Sequence, residues 1–346
     1  MRPGYPGRDL FQHGRERFLY TPDVIGTVKQ AFDAGPATVS YRLQEDTYHG
    51  YAIPNRDIDN KTSTDEDWNS IFASLSPYNR GYEPLGGQTL EDGAPPDLKE
   101  GFYIGEEISV DHPRLREGSF NLGPNHWPAD LPGFETTMMT YYAEMLALGE
   151  TLMQGIALSL GLEGDYFADF CRDPLTALKL LHYPPQPANP DPGEKGCGAH
   201  TDFGGITMLM QDDNGGLQVL GNDGRWLHAP PVPDAYVVNL ADMISRWTND
   251  MYRSTLHRVI NVSGTERYSL PFFFSGRPAH EVVALDCCLA DGETPKYPPT
   301  TVEKHMRDMY ARTYWRSEAI KGGCPDLPRE LAAPGGFDTI KARRFR

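Results

Sequence analysis

The residues of this chain whose types and spacing can do chemistry lie mainly between positions 198 and 269. Gly198-Ala199-His200-Thr201-Asp202-Phe203-Gly204-Gly205 contains a His-x-Asp triplet, and a second histidine follows in Ser254-Thr255-Leu256-His257-Arg258-Val259. Two imidazoles and one carboxylate occupy three facial positions around a divalent metal and leave three open, the geometry of a non-haem Fe(II) oxygenase centre. Imidazole suits iron and disfavours hard magnesium or calcium, while aspartate supplies an anionic oxygen. On an extended strand, residues two apart share a face, so an extended 200–202 segment would aim His200 and Asp202 at one ion. The triplet by itself is common, and a surface turn before a strand is the plain alternative. Cys197 and His200 also form a C-x-x-H, but no second half of a zinc site follows it.

What strengthens the metal reading is the text after His257. Arg267-Tyr268-Ser269 places a guanidinium and a hydroxyl two residues apart, again on one strand face. Arginine offers a bidentate fork and serine one further donor, a combination suited to a terminal carboxylate. Arg258 competes for that role. Its adjacency to His257 turns it to the opposite face of a strand, so Arg267 is the expected clamp and Arg258 a structural residue. Asn239 and Trp247 are possible supports of the ligands or pocket residues, with core packing at least as good a reading.

Taken in order, these motifs resemble the isopenicillin N synthase-like family of Fe(II)- and 2-oxoglutarate-dependent dioxygenases. The matching text is Tyr78-Asn79-Arg80-Gly81-Tyr82, Lys99-Glu100-Gly101-Phe102-Tyr103, Leu181-His182-Tyr183-Pro184-Pro185, the His200/Asp202 block, Gly215-Gly216-Leu217-Gln218-Val219, Val238-Asn239-Leu240, His257-Arg258-Val259 and Arg267-Tyr268-Ser269. The resemblance covers roughly residues 77–315. It implies a mainly β fold with flanking helices around a double-stranded β-helix, the jelly roll. It further implies iron on His200, Asp202 and His257, and 2-oxoglutarate on Arg267, Ser269 and Tyr183. In that family the early segment lies over the metal on the substrate side, which makes Arg80, Tyr82, Phe102 and Tyr103 candidate substrate contacts, with Trp247 as a further one. The activity implied is O2-dependent oxidation of an unactivated C–H bond of a small molecule, as hydroxylation, desaturation or ring formation in secondary-metabolite biosynthesis. Succinate and CO2 are the co-products. An oxidase of the same fold that uses no oxo acid, an ethylene-forming type of reaction, and a non-catalytic binder on the same fold stay open.

The elements that must position these residues are legible in outline. Residues 134–160 form the clearest helix, with Met138, Tyr142, Met145, Leu152, Ile156 and Leu160 near helical spacing and Gly161 as the stop. Residues 165–171 read as a second, short helix. Strands are expected at 177–183, 206–211, 217–220, 226–229, 235–240, 255–262, 268–274 and 281–285. Turn signals separate them at Asp213-Asn214-Gly215-Gly216 and Asn222-Asp223-Gly224. Many short strands at this pitch favour a closed or double-sheet all-β core, from about 175 to 286. Residues 302–315 form a closing helix. Residues 77–87 read as a loop. The expected organisation is a divergent N-terminal segment over 1–76, a dioxygenase domain over 77–320 and a tail over 321–346. Within the first of these, a helix at 24–32, a strand at 37–43 and a helix at 65–75 are expected. Among the other histidines, His182 is expected to be hydrogen-bonded and structural, and His228 half-exposed on a strand. His305 is expected at the surface. Asp242 reads as a helix cap or a solvated side chain.

The net charge of −16 over 346 residues argues against nucleic acid and anionic membranes as partners, since both attract basic patches. A small-molecule substrate is the expected partner. No apolar run approaches a membrane span. The opening Met1-Arg2-Pro3-Gly4-Tyr5-Pro6-Gly7 lacks the apolar stretch of a secretory signal. Five cysteines without framework spacing suggest reduced thiols and a cytoplasmic setting.

Overall fold

The computed structural model describes residues 78–115, 119–128, 131–186, 193–261 and 263–320. The elements expected within 1–76 and the tail from 321 lie outside the described residues.

The chain first lays down two paired strands, β1 (Gly81–Glu83) and β2 (Glu100–Ile104). Part of the stretch expected to be a loop is therefore strand. It adds to the barrel because Tyr82 and Phe102, opposite each other in the register, both bury their rings in the main core. Helix α1 (Phe134–Ser159) and the short α2 (Ala168–Cys171) follow. The strands of the barrel come next: β3 (Leu175–Tyr183), β4 (Cys197–His200), β5 (Ile206–Gln211), β6 (Leu217–Leu220), β7 (Trp226–His228) and β8 (Val237–Leu240). After α3 (Asp242–Trp247) come β9 (His257–Val259), β10 (Arg267–Gly276) and β11 (Glu281–Val282). A 3-10 turn at Asp286–Cys288, β12 (Thr300–Thr301) and α4 (Val302–Ile320) close the described fold.

β11 pairs with β12 in a separate two-stranded ribbon, and the barrel strands form two antiparallel sheets, ordered β1-β2-β3-β10-β5-β8 and β4-β9-β6-β7. Their facing sides share one apolar cluster, Tyr103, Leu181, Tyr183, Cys197, Leu217 and Val259, drawn from both sheets. This is the expected double-stranded β-helix. The outer face of the large sheet carries Leu178, Leu180, Ile206, Met208, Leu270, Phe272 and Phe274, packed against α1.

The buried stripe of α1 differs from the expected one in its second half. Met138, Tyr142 and Met145 are buried, but Gly149, Met153 and Ala157 then take over from Leu152, Ile156 and Leu160, which are only half-buried. Gly149 is the reason. A Cβ there would stand 2.6 Å from the Phe274 ring, so the small residue lets helix and sheet approach at that turn. Several strands are shorter than their sequence patterns. β9 starts only at His257, because Thr248 and Ser245 bond the backbone from Tyr252 to Ser254 as an extension of α3. β8 starts at Val237 after a turn in which Asp234 adopts φ 57°.

Candidate metal and cosubstrate site

β4 and β9 pair with His200 directly opposite His257, which brings the two imidazoles together with ring centroids 4.2 Å apart. β4 ends at His200, so Asp202 lies beyond the strand and strand alternation is not what aims it. The turn itself does so, held where the Asp242 amide donates to the Asp202 carbonyl at 3.0 Å. Asp202 Oδ1 lies 3.7 Å from His200 Nε2 and 3.6 Å from His257 Nε2. Among the described residues these three are the one group of acids, histidines and cysteines arranged to hold a metal, with one ligand atom from each within 4.8 Å of the others.

The second nitrogen of each ring is already committed. His200 Nδ1 donates to the Gly198 carbonyl at 2.8 Å, and His257 Nδ1 to the Thr255 carbonyl at 3.0 Å. Both Nε2 lone pairs therefore point inward, the tautomer a metal requires. Burial pushes both imidazoles below their ordinary value, which keeps them neutral. Burial alone would raise the Asp202 carboxyl. The neighbouring His257 and His200, together with the hydrogen bond from Asn239 Nδ2 at 2.7 Å, outweigh it and hold the group below the usual range. Two neutral imidazoles and one carboxylate are the donor set that suits a non-haem Fe(II) ion with open positions.

The metal strand is supported by two carboxylates that pattern reading did not single out. The β4/β9 register breaks between Cys197 and His200, freeing the amides of Gly198 and Ala199. Asp97 accepts from Gly198 N and Glu91 from Ala199 N, each at 2.8 Å. Asp97 also pairs with the buried Lys99, and Glu91 with Lys195. Asp97 and Glu91 lie 101 and 108 positions upstream of the amides they accept from, and Asp97 lies just before the Lys99-Glu100-Gly101-Phe102-Tyr103 text without being part of it, so local pattern did not mark either carboxylate.

The residues expected to clamp a carboxylate sit on β3 and β10, where Arg267 pairs in register with Tyr183 and Ser269 with Leu181. Arg267 is fully buried. Its Nε donates to the Gly215 carbonyl, one terminal nitrogen to Ser269 Oγ at 3.2 Å and the other to Gln211 Oε1 at 3.2 Å. The guanidinium lies 4.7 Å from the Tyr183 ring centre, and Tyr183 is hydrogen-bonded to Ser269. Gly216 makes room for it: at φ 96°, a Cβ there would be 2.8 Å from the Ile260 carbonyl and 3.4 Å from Arg267 Cδ. Five N–H groups less three donated bonds leave two, one on each terminal nitrogen, without a partner among the described residues. Asn261 ties the strands together, donating to the Tyr183 and Pro184 carbonyls at 3.0 Å and to Thr265 at 2.9 Å. Arg258 points elsewhere, as expected, stacked 4.0 Å over Trp226 and bonded to Gln218.

An open cleft meets the candidate metal ligands, lined by His200, Asp202, Phe203, Lys179, Phe273 and Tyr310 among others. The five expected substrate contacts are not among its lining residues. Tyr82 and Phe102 pack in the core, Phe102 edge-on to Phe134. Trp247 lies between Phe167 and Phe170. For these three, packing replaces the expected substrate contact, because the β1-β2 hairpin and α3 turn their large rings outward from the barrel. Arg80 is buried and donates to the carbonyls of Tyr78, Asn79 and Asn121, so it fastens a segment whose Asn121 does line the cavity. Tyr103 faces the barrel interior, with its hydroxyl on Glu83 and its ring under Lys179.

Of the remaining histidines, His182 bridges Glu100 and Glu266 and stacks on Tyr268, as its structural role required. His228 is exposed. His305 is buried rather than at the surface: α4 packs it against Asp242, 3.3 Å away, so neither group is solvated.

A jelly roll enclosing an open two-histidine, one-carboxylate centre beside a buried arginine defines an iron oxygenase scaffold, and comparison with known proteins gives the family. The profile of the 2OG-Fe(II) oxygenase superfamily matches residues 174–276. The 2-oxoglutarate-Fe(II) type oxidoreductase hxnY of Emericella nidulans is 45% identical over 312 residues, covering 89% of this chain and 84% of that protein. The 2-oxoglutarate-dependent dioxygenase citB of Monascus ruber is 43% identical over 68% of this chain and 73% of its own length. The crystal structure of a full-length Neurospora crassa protein in complex with alpha-KG and thymine superposes with a TM-score of 0.62 at 27% identity, covering 92% of this chain and 85% of that one. The chain belongs to the 2OG-Fe(II) oxygenase superfamily and is an Fe(II)- and 2-oxoglutarate-dependent dioxygenase.

Proposed function

We propose that this enzyme oxidises an unactivated C–H bond of a small organic molecule in secondary-metabolite biosynthesis, with iron on His200, Asp202 and His257 and 2-oxoglutarate on Arg267, Ser269 and Tyr183. The observation that carries this reading is the inward-facing triad in the same barrel interior as a fully buried arginine with two unspent N–H groups. Iron bound at the triad, with 2-oxoglutarate and O2, supplies the oxidising chemistry and leaves succinate and CO2.

The chain's own residues do the positioning. Arg267 and Ser269 receive the far carboxylate of the oxo acid and fix its direction along β10. Tyr183 closes the side of that pocket. The Gly198 and Thr255 carbonyls hold the imidazoles in their ligating tautomer, and Asn239 fixes the rotation of the Asp202 carboxylate. Leu181, Leu217 and Val259 keep water from the inner end. The domain that does this work spans 77–320. Among the described residues no helix is long and apolar enough to cross a membrane. The four cysteines among them are free thiols, which supports the cytoplasm as the compartment.

The test is anaerobic. Fe(II) and then 2-oxoglutarate are added, and the weak visible band of the chelated oxo acid is followed. A band that needs both additions, absent in His200→Ala and Asp202→Ala, is the expected result. Iron binding with no band would favour an oxidase that takes all its electrons from substrate. No iron binding at all would overturn the triad.

A further inference from the structure

The cavity beside the candidate metal ligands is lined by a lysine that neither the iron site nor the oxo acid clamp uses. Lys179 lies on β3 at the same parity as Leu181 and Tyr183, so its side chain enters the barrel interior. It stands four residues from Tyr183, about 13 Å along the strand at the usual rise, toward the cavity and away from Arg267. It lines that cavity together with His200 and Asp202.

Lys179 is only 8% exposed. A buried ammonium is expected to be paired, because removing it from water is costly. Among the described residues Lys179 has no ion pair and no hydrogen bond. Its Nζ instead lies 4.2 Å from the Tyr103 ring centre and 5.3 Å from that of Phe273. These faces stabilise a cation modestly but accept none of its three N–H groups. The acids nearest in its field are committed elsewhere: Glu83 accepts from the Tyr103 hydroxyl, and Asp202 serves the two histidines and Asn239. The cation that acts on it, Lys99, is already neutralised by Asp97. Burial lowers the Lys179 ammonium to about 8, so it stays mostly charged at neutral pH while its donors remain unspent. Phe203, Phe273 and Tyr310 give the same cavity flat apolar walls.

We propose that Lys179 is the substrate-recognition cation: it receives an anionic oxygen, carboxylate or phenolate, of a small aromatic primary substrate and thereby sets which C–H bond faces the metal. The inference rests on the proposed function, since it takes the cavity as the substrate side of the iron. It places substrate and oxo acid on separate cations, Lys179 for the first and Arg267 for the second. Two anions can then share one barrel without competing.

The experiment is anaerobic isothermal titration of the full-length enzyme loaded with Fe(II) and 2-oxoglutarate. The probes are matched pairs: benzoate against benzamide, phenylacetate against phenylacetamide, and 4-nitrophenol against 4-nitroanisole. At least one anion is expected to bind about 10–200-fold more tightly than its neutral partner, the range of one charge-assisted hydrogen bond. An acid-over-amide preference marks a carboxylate substrate, and a nitrophenol-over-nitroanisole preference a phenolate. Lys179→Met is expected to lose that preference while its Fe(II)–oxo acid band stays at the wild-type 2-oxoglutarate concentration. Equal binding within every pair in the wild type, or absence of binding by all six probes, overturns the proposal, as does a preference that survives in Lys179→Met. If that variant does not fold, the wild-type pairs still decide. Absence of the band in the wild type would instead refute the iron and oxo acid reading, so the two failures are distinguishable.

Discussion

Replacing Arg267 by alanine is the most informative single perturbation of the clamp. The guanidinium has five N–H groups, of which Gly215, Ser269 and Gln211 take three. The remaining two form a fork, one on each terminal nitrogen, and a bound carboxylate would receive both. A hydrogen bond to a charged group contributes about 1.5–3 kcal/mol, so loss of even one of the two should weaken 2-oxoglutarate by roughly 10–200-fold, the lower bound for Arg267→Ala. Ser269→Ala removes one hydrogen bond to the same carboxylate and leaves the guanidinium fork in place, so it should weaken 2-oxoglutarate less than Arg267→Ala does. The assay is anaerobic titration of the Fe(II)-loaded protein with 2-oxoglutarate, read from the visible band, with iron content measured separately. Iron binding should be close to wild type in both variants, because neither residue touches the triad. Arg267→Ala also strips three acceptors of their donor, one of them on the buried Ser269, so thermal unfolding of the metal-free variant is needed to show that it is folded at the assay temperature. A folded Arg267→Ala with unchanged 2-oxoglutarate affinity would refute the clamp. A larger loss in Ser269→Ala than in Arg267→Ala would refute the division of labour between them.

Other expectations follow from the same geometry. Asn239→Ala frees one oxygen of Asp202 and should lower Fe(II) affinity by about 10–100-fold, measured by competition with a chelator, while leaving the fold intact; a change below twofold would remove Asn239 from the site. Asp97→Ala leaves Lys99 buried without its partner and the Gly198 amide without an acceptor, and should cost about 3–5 kcal/mol in urea unfolding. Loss of less than about 1 kcal/mol would mean that the pair does not support the metal strand. The pH dependence has a defined sign. His200 and His257 are held below the ordinary histidine value by burial, so the unfolded chain takes up their protons first as pH falls. Their contribution to stability is therefore complete above about pH 6.5 and is lost below it, by up to about 1.4 kcal/mol per pH unit for each group. Thermal unfolding of the metal-free protein between pH 7.5 and 5 should show this fall, and His257→Asn should flatten it. An unchanged slope would contradict the burial argument.

Some residues were readable for the right reason and some for the wrong one. Arg267 and Ser269 share a face because they sit on a continuous strand, and alternation alone separates Arg267 from Arg258. His200 and Asp202 do converge, but a register break and a turn bring them together, not a strand carried through both. The rings of Tyr82, Phe102 and Trp247 illustrate the opposite case. Their positions near the motifs suggested a pocket, and whether an aromatic faces the barrel or the core depends on which sheet or helix meets it. The shift of the α1 stripe to Gly149 has the same origin, since a glycine reads as a weak core residue until a particular ring needs the space.

What the sequence by itself determined is local: the strand and helix periods, the turn residues between strands, and the order of ligand and clamp motifs along 181–269. Period and turn chemistry depend on neighbours a few positions away, so they are written in the chain directly. The tertiary structure alone decided which distant groups complete the site. Asp97 and Glu91 reach the metal strand across 101 and 108 positions, and Lys179 becomes a lone cation only where two sheets close over it. Those contacts depend on strand register and sheet order. They set burial, and burial is what turns an ordinary lysine or carboxylate into a group with something to bind.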